Sequence, residues 1–191
     1  MNLIETSLDG VLIIEPKVFA DSRGYFFESY NQESFKKAGL DYSFVQDNES
    51  KSVHGTIRGI HFQKGEFSQA KLVRVLEGNV LDVVVDLRMG SHTFGQHVAV
   101  ELSGENKRQL LIPRGFGHGF SVLSETAVFS YKCDNFYMPA SEGSILFNDP
   151  ELAIDWQIPP DDILLSEKDK KSPGFQQYCR APVFFSSEER K

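Results

Sequence analysis

From Val80 to Arg88 the chain alternates with a period of two: Leu81, Val83, Val85 and Leu87 share one parity, while Asp82 and Asp86 share the other with Val80 and Val84. An extended strand puts successive side chains on opposite faces, so this stretch is predicted to be a strand with an apolar side against a core. The run Lys71 to Leu76 joins it through Glu77-Gly78-Asn79, which predicts a hairpin. Runs rich in Val, Ile and Phe predict further strands at Gly10 to Pro16, Gly24 to Tyr30, Thr56 to Phe62, His97 to Leu102, Gln109 to Ile112, Phe120 to Leu123 and Ala127 to Cys133. Turn residues recur between them at the short spacing of a sandwich or barrel, so the chain reads as all-β.

Helix is minor. Gln32 to Gly39 has helical character with Gly39 as its stop, and Ser166 is placed to cap a turn leading through Asp169. The 191 residues fit one domain that can bury most of its apolar surface. We expect a barrel core over about residues 10–150 and a C-terminal segment, 151–191, packing on it, with the last residues mobile.

A formal net charge of -7 argues against nucleic acid or an anionic membrane as partner, since both select basic surface. A local arginine cluster could still hold a phosphate-bearing small molecule. The start, MNLIETSLDG, has neither the basic nor the apolar region of a signal peptide. No run approaches the roughly 18 to 20 apolar residues of a membrane helix. The expected location is cytoplasmic. Cys133 and Cys179 lack metal-type spacing and are expected as free thiols.

The segment IPRGFGHGF, residues 112–120, reads Pro113-x-Gly115-x-x-His118 and resembles the second half of the cupin β-barrel signature. In metal-binding cupins the first half supplies two histidines one residue apart and a glutamate seven residues before a turn glycine. Gly78 fits that glycine, but Lys71 occupies the glutamate position, and His61 has no histidine two positions away. An ammonium is a poor ligand, so the expected barrel works without a metal or other cofactor.

Parity places Lys71, Val73 and Val75 on one face, and Ala127, Phe129, Tyr131 and Cys133 on one face, so a lysine and a tyrosine project among apolar neighbours. Buried polar groups of this kind need partners or a ligand. Taken singly, Tyr131 reads as a core tyrosine with a bonded hydroxyl, His61 as a satisfied core histidine, and His118 equally as turn packing. Arg58 and His61 should point to opposite faces, unless a bulge at Gly59 re-aims them. DSRGYFFE, residues 21–28, offers Arg23, Phe26 and Glu28 on an ordinary strand start. QDNES, residues 46–50, offers Gln46, Asp47 and Asn48 and reads as a loop with local side-chain-to-backbone bonds.

Together, DSRGYFFE, QDN, IRGIHFQ, AKLVR, IPRGFGHGF, FSYK, SEGSILFNDP and LSEKD, in this order over roughly residues 3–170, closely resemble the dTDP-4-dehydrorhamnose 3,5-epimerase family. The resemblance implies a cupin-type β-jelly-roll barrel, a homodimer with exchanged N-terminal strands, and no cofactor. The implied substrate is dTDP-4-dehydro-6-deoxy-D-glucose, a dTDP-linked 4-keto-6-deoxysugar. It also implies that His61 is the base, supported by Asp169, that Tyr131 is the acid on the other side of the sugar, and that Lys71 stabilises the intermediate. Arg23, Phe26, Glu28, Gln46, Asp47, Asn48, Arg58, His118, Tyr137, Glu142 and Lys168 fall on positions resembling the substrate-binding set, with Phe136 beside Tyr137 completing an aromatic pair. Glu49 and Ala70 depart from it, standing where many members have histidine and glycine.

These residue types suit the chemistry. A C4 ketone acidifies the hydrogens at C3 and C5, and inversion then needs a base on one ring face, an acid on the other and a donor near the enolate oxygen. A mono-epimerase or ketoisomerase acting on another nucleotide 4-keto-6-deoxysugar would use the same groups. A non-catalytic nucleotide-sugar-binding barrel would not need His61, Lys71, Tyr131 and Asp169 together.

Overall fold

A computed structural model describes residues 1–186. In chain order it forms β1 (Asn2–Glu5), β2 (Leu12–Glu15), β3 (Phe19–Asp21), β4 (Gly24–Phe26), α1 (Gln32–Lys37), β5 (Gln46–Val53), β6 (Ile57–Gln63), β7 (Lys71–Glu77), β8 (Asn79–Asp86), β9 (Arg88–Met89), β10 (His97–Ser103), β11 (Gln109–Ile112), β12 (Phe116–Val122), β13 (Thr126–Cys133), β14 (Glu142–Ser144), α2 (Phe175–Arg180) and β15 (Phe184–Phe185). Two sheets face each other as a jelly-roll barrel, with strand orders β1-β2-β11-β7-β13-β5 and β10-β8-β12-β6-β14. Val73, Val75, Val80, Val84, Leu110, Phe120 and Phe129 meet in the core between them.

The predicted hairpin is β7 and β8, with Gly78 at φ +80 in the turn. Its second strand differs from a half-buried one. Val80, Asp82 and Val84 face the barrel interior, and Leu81, Val83, Val85 and Leu87 are buried too. The latter stripe is covered by Ile145, Leu152, Trp156, Phe175 and Tyr178. Each such Val or Leu contributes on the order of 1.5–3 kcal/mol of burial. The C-terminal residues are also tied down by polar bonds: Tyr178 Oη donates to the Leu87 carbonyl at 2.7 Å, and Ser121 Oγ donates to that of Trp156 at 2.7 Å. The expected mobility of the last residues concerns 187–191, outside the described part of the chain.

Three segments depart from the sequence prediction. Residues 46–53 are not a loop: β5 is a full strand whose register with β13 runs from Gln46↔Cys133 to Val53↔Thr126. The strand predicted from Phe120 begins at Phe116, because GFGHG continues the ladder rather than turning out of it. The strand predicted over Gly24 to Tyr30 stops at Phe26 and pairs with β3 as an exposed hairpin. Helix α1 ends at Lys37, with Asn31 accepting from the Glu33 and Ser34 amides at its start and Gly39 at φ +83 beyond its end.

Candidate active site

Strand β6 carries His61, and the irregularity expected at Gly59 is present. His118 of β12 pairs with His61, and Phe120 pairs with Arg58, so β6 holds one extra residue between the two pairs. Arg58 and His61 thereby both reach the same cavity. Only glycine fits there: at φ +132 a Cβ on Gly59 would lie 2.5 Å from the Gly119 Cα.

His61 Nε2 meets Asp169 Oδ1 at 2.5 Å, and the other carboxylate oxygen accepts the Ser166 hydroxyl at 2.6 Å. The Asp169 amide in turn donates to Ser166 Oγ at 3.1 Å, so the predicted cap turn is what sets the carboxylate. Burial alone would raise Asp169, but the hydrogen bonds from His61 and Ser166 outweigh it and hold the carboxyl below its ordinary value. The His61 side chain is 36% exposed and that of Asp169 only 5%, so the imidazole faces the cavity while its partner is hidden behind it. A carboxylate acceptor at Nε2 fixes the proton there and leaves Nδ1 as the basic nitrogen.

A second histidine–carboxylate pair lies deeper. His118 Nε2 sits 2.9 and 3.1 Å from the two Asp82 oxygens. Burial pushes Asp82 up and His118 down, and both outweigh their mutual attraction. Lys71 extends from β7 into the same space and is pushed down by burial, with Asp82 opposing the shift. Asp82 is a neighbour of Lys71 and His118 missed in the sequence, although its shared parity with the interior-facing Val80 and Val84 could have found it. Tyr131, on β13, is raised by burial, and the Lys71 ammonium lies 5.7 Å from its ring centre. Burial likewise raises the Cys133 thiol to about 11.

His61, Lys71, His118, Tyr131 and Asp169 line a cavity of about 530 Å³ that also includes Asn48, Arg58, Phe120, Phe129, Leu164, Ser166 and Lys168. An adjoining lobe of about 320 Å³ shares Asn48, His61, Lys71 and Tyr131 and adds Gln46, Gln63, Gln69, Cys133, Tyr137 and Glu142. Arg58 donates through Nε and one terminal nitrogen to Ser52 Oγ, both at 3.1 Å. Lys168 donates to Glu142 across the rim. Burial opposes ionisation of Glu142, but Lys168 and Tyr137 hold its carboxyl below the ordinary value. Among the described residues no three His, Cys, Asp or Glu side chains converge as a metal-ligand group.

The family model for dTDP-4-dehydrorhamnose 3,5-epimerase matches residues 5–177. The chain belongs to the dTDP-4-dehydrorhamnose 3,5-epimerase family. It is 55% identical over 181 residues to the dTDP-4-dehydrorhamnose 3,5-epimerase of Salmonella typhimurium, covering 93% of this chain and 97% of the relative. The crystal structure of dTDP-4-dehydrorhamnose 3,5-epimerase from Elizabethkingia anophelis NUHP1 superposes with a TM-score of 0.89 at 60% identity, covering 93% of this chain and 97% of that one. The dTDP-6-deoxy-D-glucose-3,5-epimerase of Legionella pneumophila Philadelphia 1, in complex with dTDP-4-keto-L-rhamnose, superposes with a TM-score of 0.92 at 47% identity, covering 97% and 99%.

Four residues that the 3,5-epimerase resemblance implies lie outside the cavity of this one chain. Arg23 and Phe26 sit on the exposed β3–β4 hairpin, where Arg23 bonds Asp21 at 2.6 Å and Phe26 is 70% exposed. Glu28 accepts from Asn31 at 3.0 Å at the start of α1. Asp47 has the wrong parity: it faces the outside of the sheet and pairs with Lys132 at 2.8 Å, while Gln46 and Asn48 face inward. The loop reading of residues 46–50 hid that alternation.

Proposed function

We propose that this chain inverts C3 and C5 of dTDP-4-dehydro-6-deoxy-D-glucose to give dTDP-4-dehydro-L-rhamnose, by acid-base chemistry through an enolate. One observation carries the reading: His61 and Tyr131 enter a single cavity from opposite sheets, with Lys71 lining the same space.

His61 Nδ1 takes the proton from the carbon next to the ketone, and the C–H electron pair moves into the C–C bond as the C4 oxygen gains negative charge. Asp169 holds the ring and stabilises the imidazolium. Lys71 stabilises the enolate oxygen; a preorganised donor of this kind is worth roughly 3–4 kcal/mol. Tyr131, kept protonated by its raised pKa, returns a proton to the opposite ring face, and before the second inversion both groups reset through water, His61 releasing its proton as Tyr131 takes one up. The Asp82 carboxylate favours the charged form of Lys71, and His118 fixes that carboxylate in place.

Arg58 and Lys168 are the cations on the larger lobe suited to a diphosphate, alongside Asn48; Gln46, Tyr137 and Glu142 line the smaller lobe. Arg23, Phe26 and Glu28 serve the partner's cavity in a homodimer that exchanges N-terminal strands, which accounts for the exposed aromatic hairpin. Acting on a nucleotide sugar assigns the enzyme to the cytoplasm.

Proton NMR of the substrate with enzyme in D₂O tests the reading. Deuterium entering at both C3 and C5, with the L-lyxo product, is the expected result. Exchange and inversion at a single carbon would make the chain a mono-epimerase, and no exchange would make it a binding protein.

A further inference from the structure

Gln63 lies two residues beyond His61 on β6, opposite Glu142 of β14, and is 6% exposed. Both ends of its carboxamide are committed to main chain. Oε1 accepts the Met138 amide at 2.7 Å, and Nε2 donates to the Phe67 and Phe136 carbonyls at 2.8 and 3.1 Å. Other amides continue the pattern. Gln69 donates to the Asn135 carbonyl at 2.8 Å, Asn135 donates to that of Glu66 at 2.7 Å, and Gln46 Oε1 accepts the Tyr137 amide at 3.0 Å.

Residues 135–138 lie in neither helix nor strand, so side chains must satisfy the polar groups a ladder would satisfy elsewhere. Gln63 binds the residues on both sides of Tyr137, whose ring is half exposed and forms a wall of the lobe containing Lys71 and Tyr131. We propose that Gln63 is a positioning residue for turnover: it fixes the 135–138 segment so that Tyr137 presents a fixed wall beside the reacting sugar. This rests on the epimerase reading above.

The test compares Gln63→Leu, Tyr137→Ala and the double variant. Gln63→Leu should lower kcat by roughly ten- to a hundredfold, as for a reacting group displaced by an ångström. Its affinity for dTDP by calorimetry should stay within about twofold, because the diphosphate cations are on the other lobe. The double variant should be no slower than Tyr137→Ala. Hydrogen exchange at the Met138 amide should accelerate in Gln63→Leu whatever the activity. Wild-type kcat in Gln63→Leu, equal fold losses in both backgrounds, unchanged Met138 exchange, or joint loss of dTDP binding and fold would each overturn the proposal. A wild-type protein that leaves the 4-ketosugar untouched would instead sink the epimerase reading, while Met138 exchange still reports on the latch.

Discussion

His61 and His118 stand opposite each other on β6 and β12, yet each is bound to a different carboxylate in a contrasting setting. Asp169 is held below its ordinary value by its bonds, whereas Asp82 is raised by burial. One pair is poised beside the cavity to carry charge, and the other is packed beneath it.

Replacing His61 with Asn or Ala should reduce turnover by about 10²- to 10⁴-fold, as for a lost general base, while the protein stays folded with a modestly lower melting temperature because the buried Asp169 loses one partner. Asp169→Asn should be impaired less, because the base survives without its charge support. Steady-state kinetics alongside thermal melts check both. Wild-type turnover in the His61 variants would remove it from the chemistry.

Tyr131→Phe separates exchange from inversion. Deprotonation from the His61 face survives, so deuterium should still enter at C3 or C5, while delivery to the opposite face is lost. Deuterium content and product configuration are read in one NMR sample. A stable Tyr131→Phe enzyme that inverts normally would exclude this tyrosine as the acid.

Asp82 and Asp169 predict opposite pH signatures. The carboxyl of Asp169 is lowered on folding, so its stabilisation is present above the unfolded value near 3.8 and is lost as pH falls through the lower folded value. That of Asp82 is raised, so the folded protein retains its proton longer than the unfolded chain, and stability falls as pH rises from about 3.8 through the raised value. Asp82→Asn, which keeps an acceptor for His118, should therefore melt no lower than wild type at pH 7, and Asp169→Asn should lose its advantage mainly above the acid range. Urea titrations at several pH values give the comparison, and a lower midpoint for Asp82→Asn at pH 7 would contradict it.

Arg23→Ala should weaken dTDP binding several-fold without lowering the melting temperature, since among the described residues this arginine's side chain bonds only Asp21, on an exposed hairpin. Calorimetry with the wild-type protein and the variant checks this. Unchanged affinity would place Arg23 outside the site.

Legibility followed the physics of patterning. The β7–β8 hairpin was readable because turn residues and apolar alternation coincide there. His61 and Arg58 could be placed together because glycine at 59 is the residue that tolerates a positive φ against a neighbouring backbone. Strand β5 was not readable: of its inward residues, Gln46, Asn48 and Ser50 line the cavity or its adjoining lobe and Ser52 holds Arg58, so both of its faces are hydrophilic. Helix α2 escaped because its start has no local cap; Asp149, distant in sequence, accepts the Phe175 amide at 2.8 Å instead. Asp82 was overlooked because a carboxylate within an aliphatic strand resembles the solvent side of a half-buried one.

The outer face of β8 is covered by residues from beyond position 144, so the burial of this strand waits on a segment far from it in the chain. A nascent chain halted before that segment leaves the ribosome would display Leu81, Val83, Val85 and Leu87 as a bare adhesive stripe, and it would also lack Asp169. Such a chain would carry the exposed apolar strand surface that promotes association between copies.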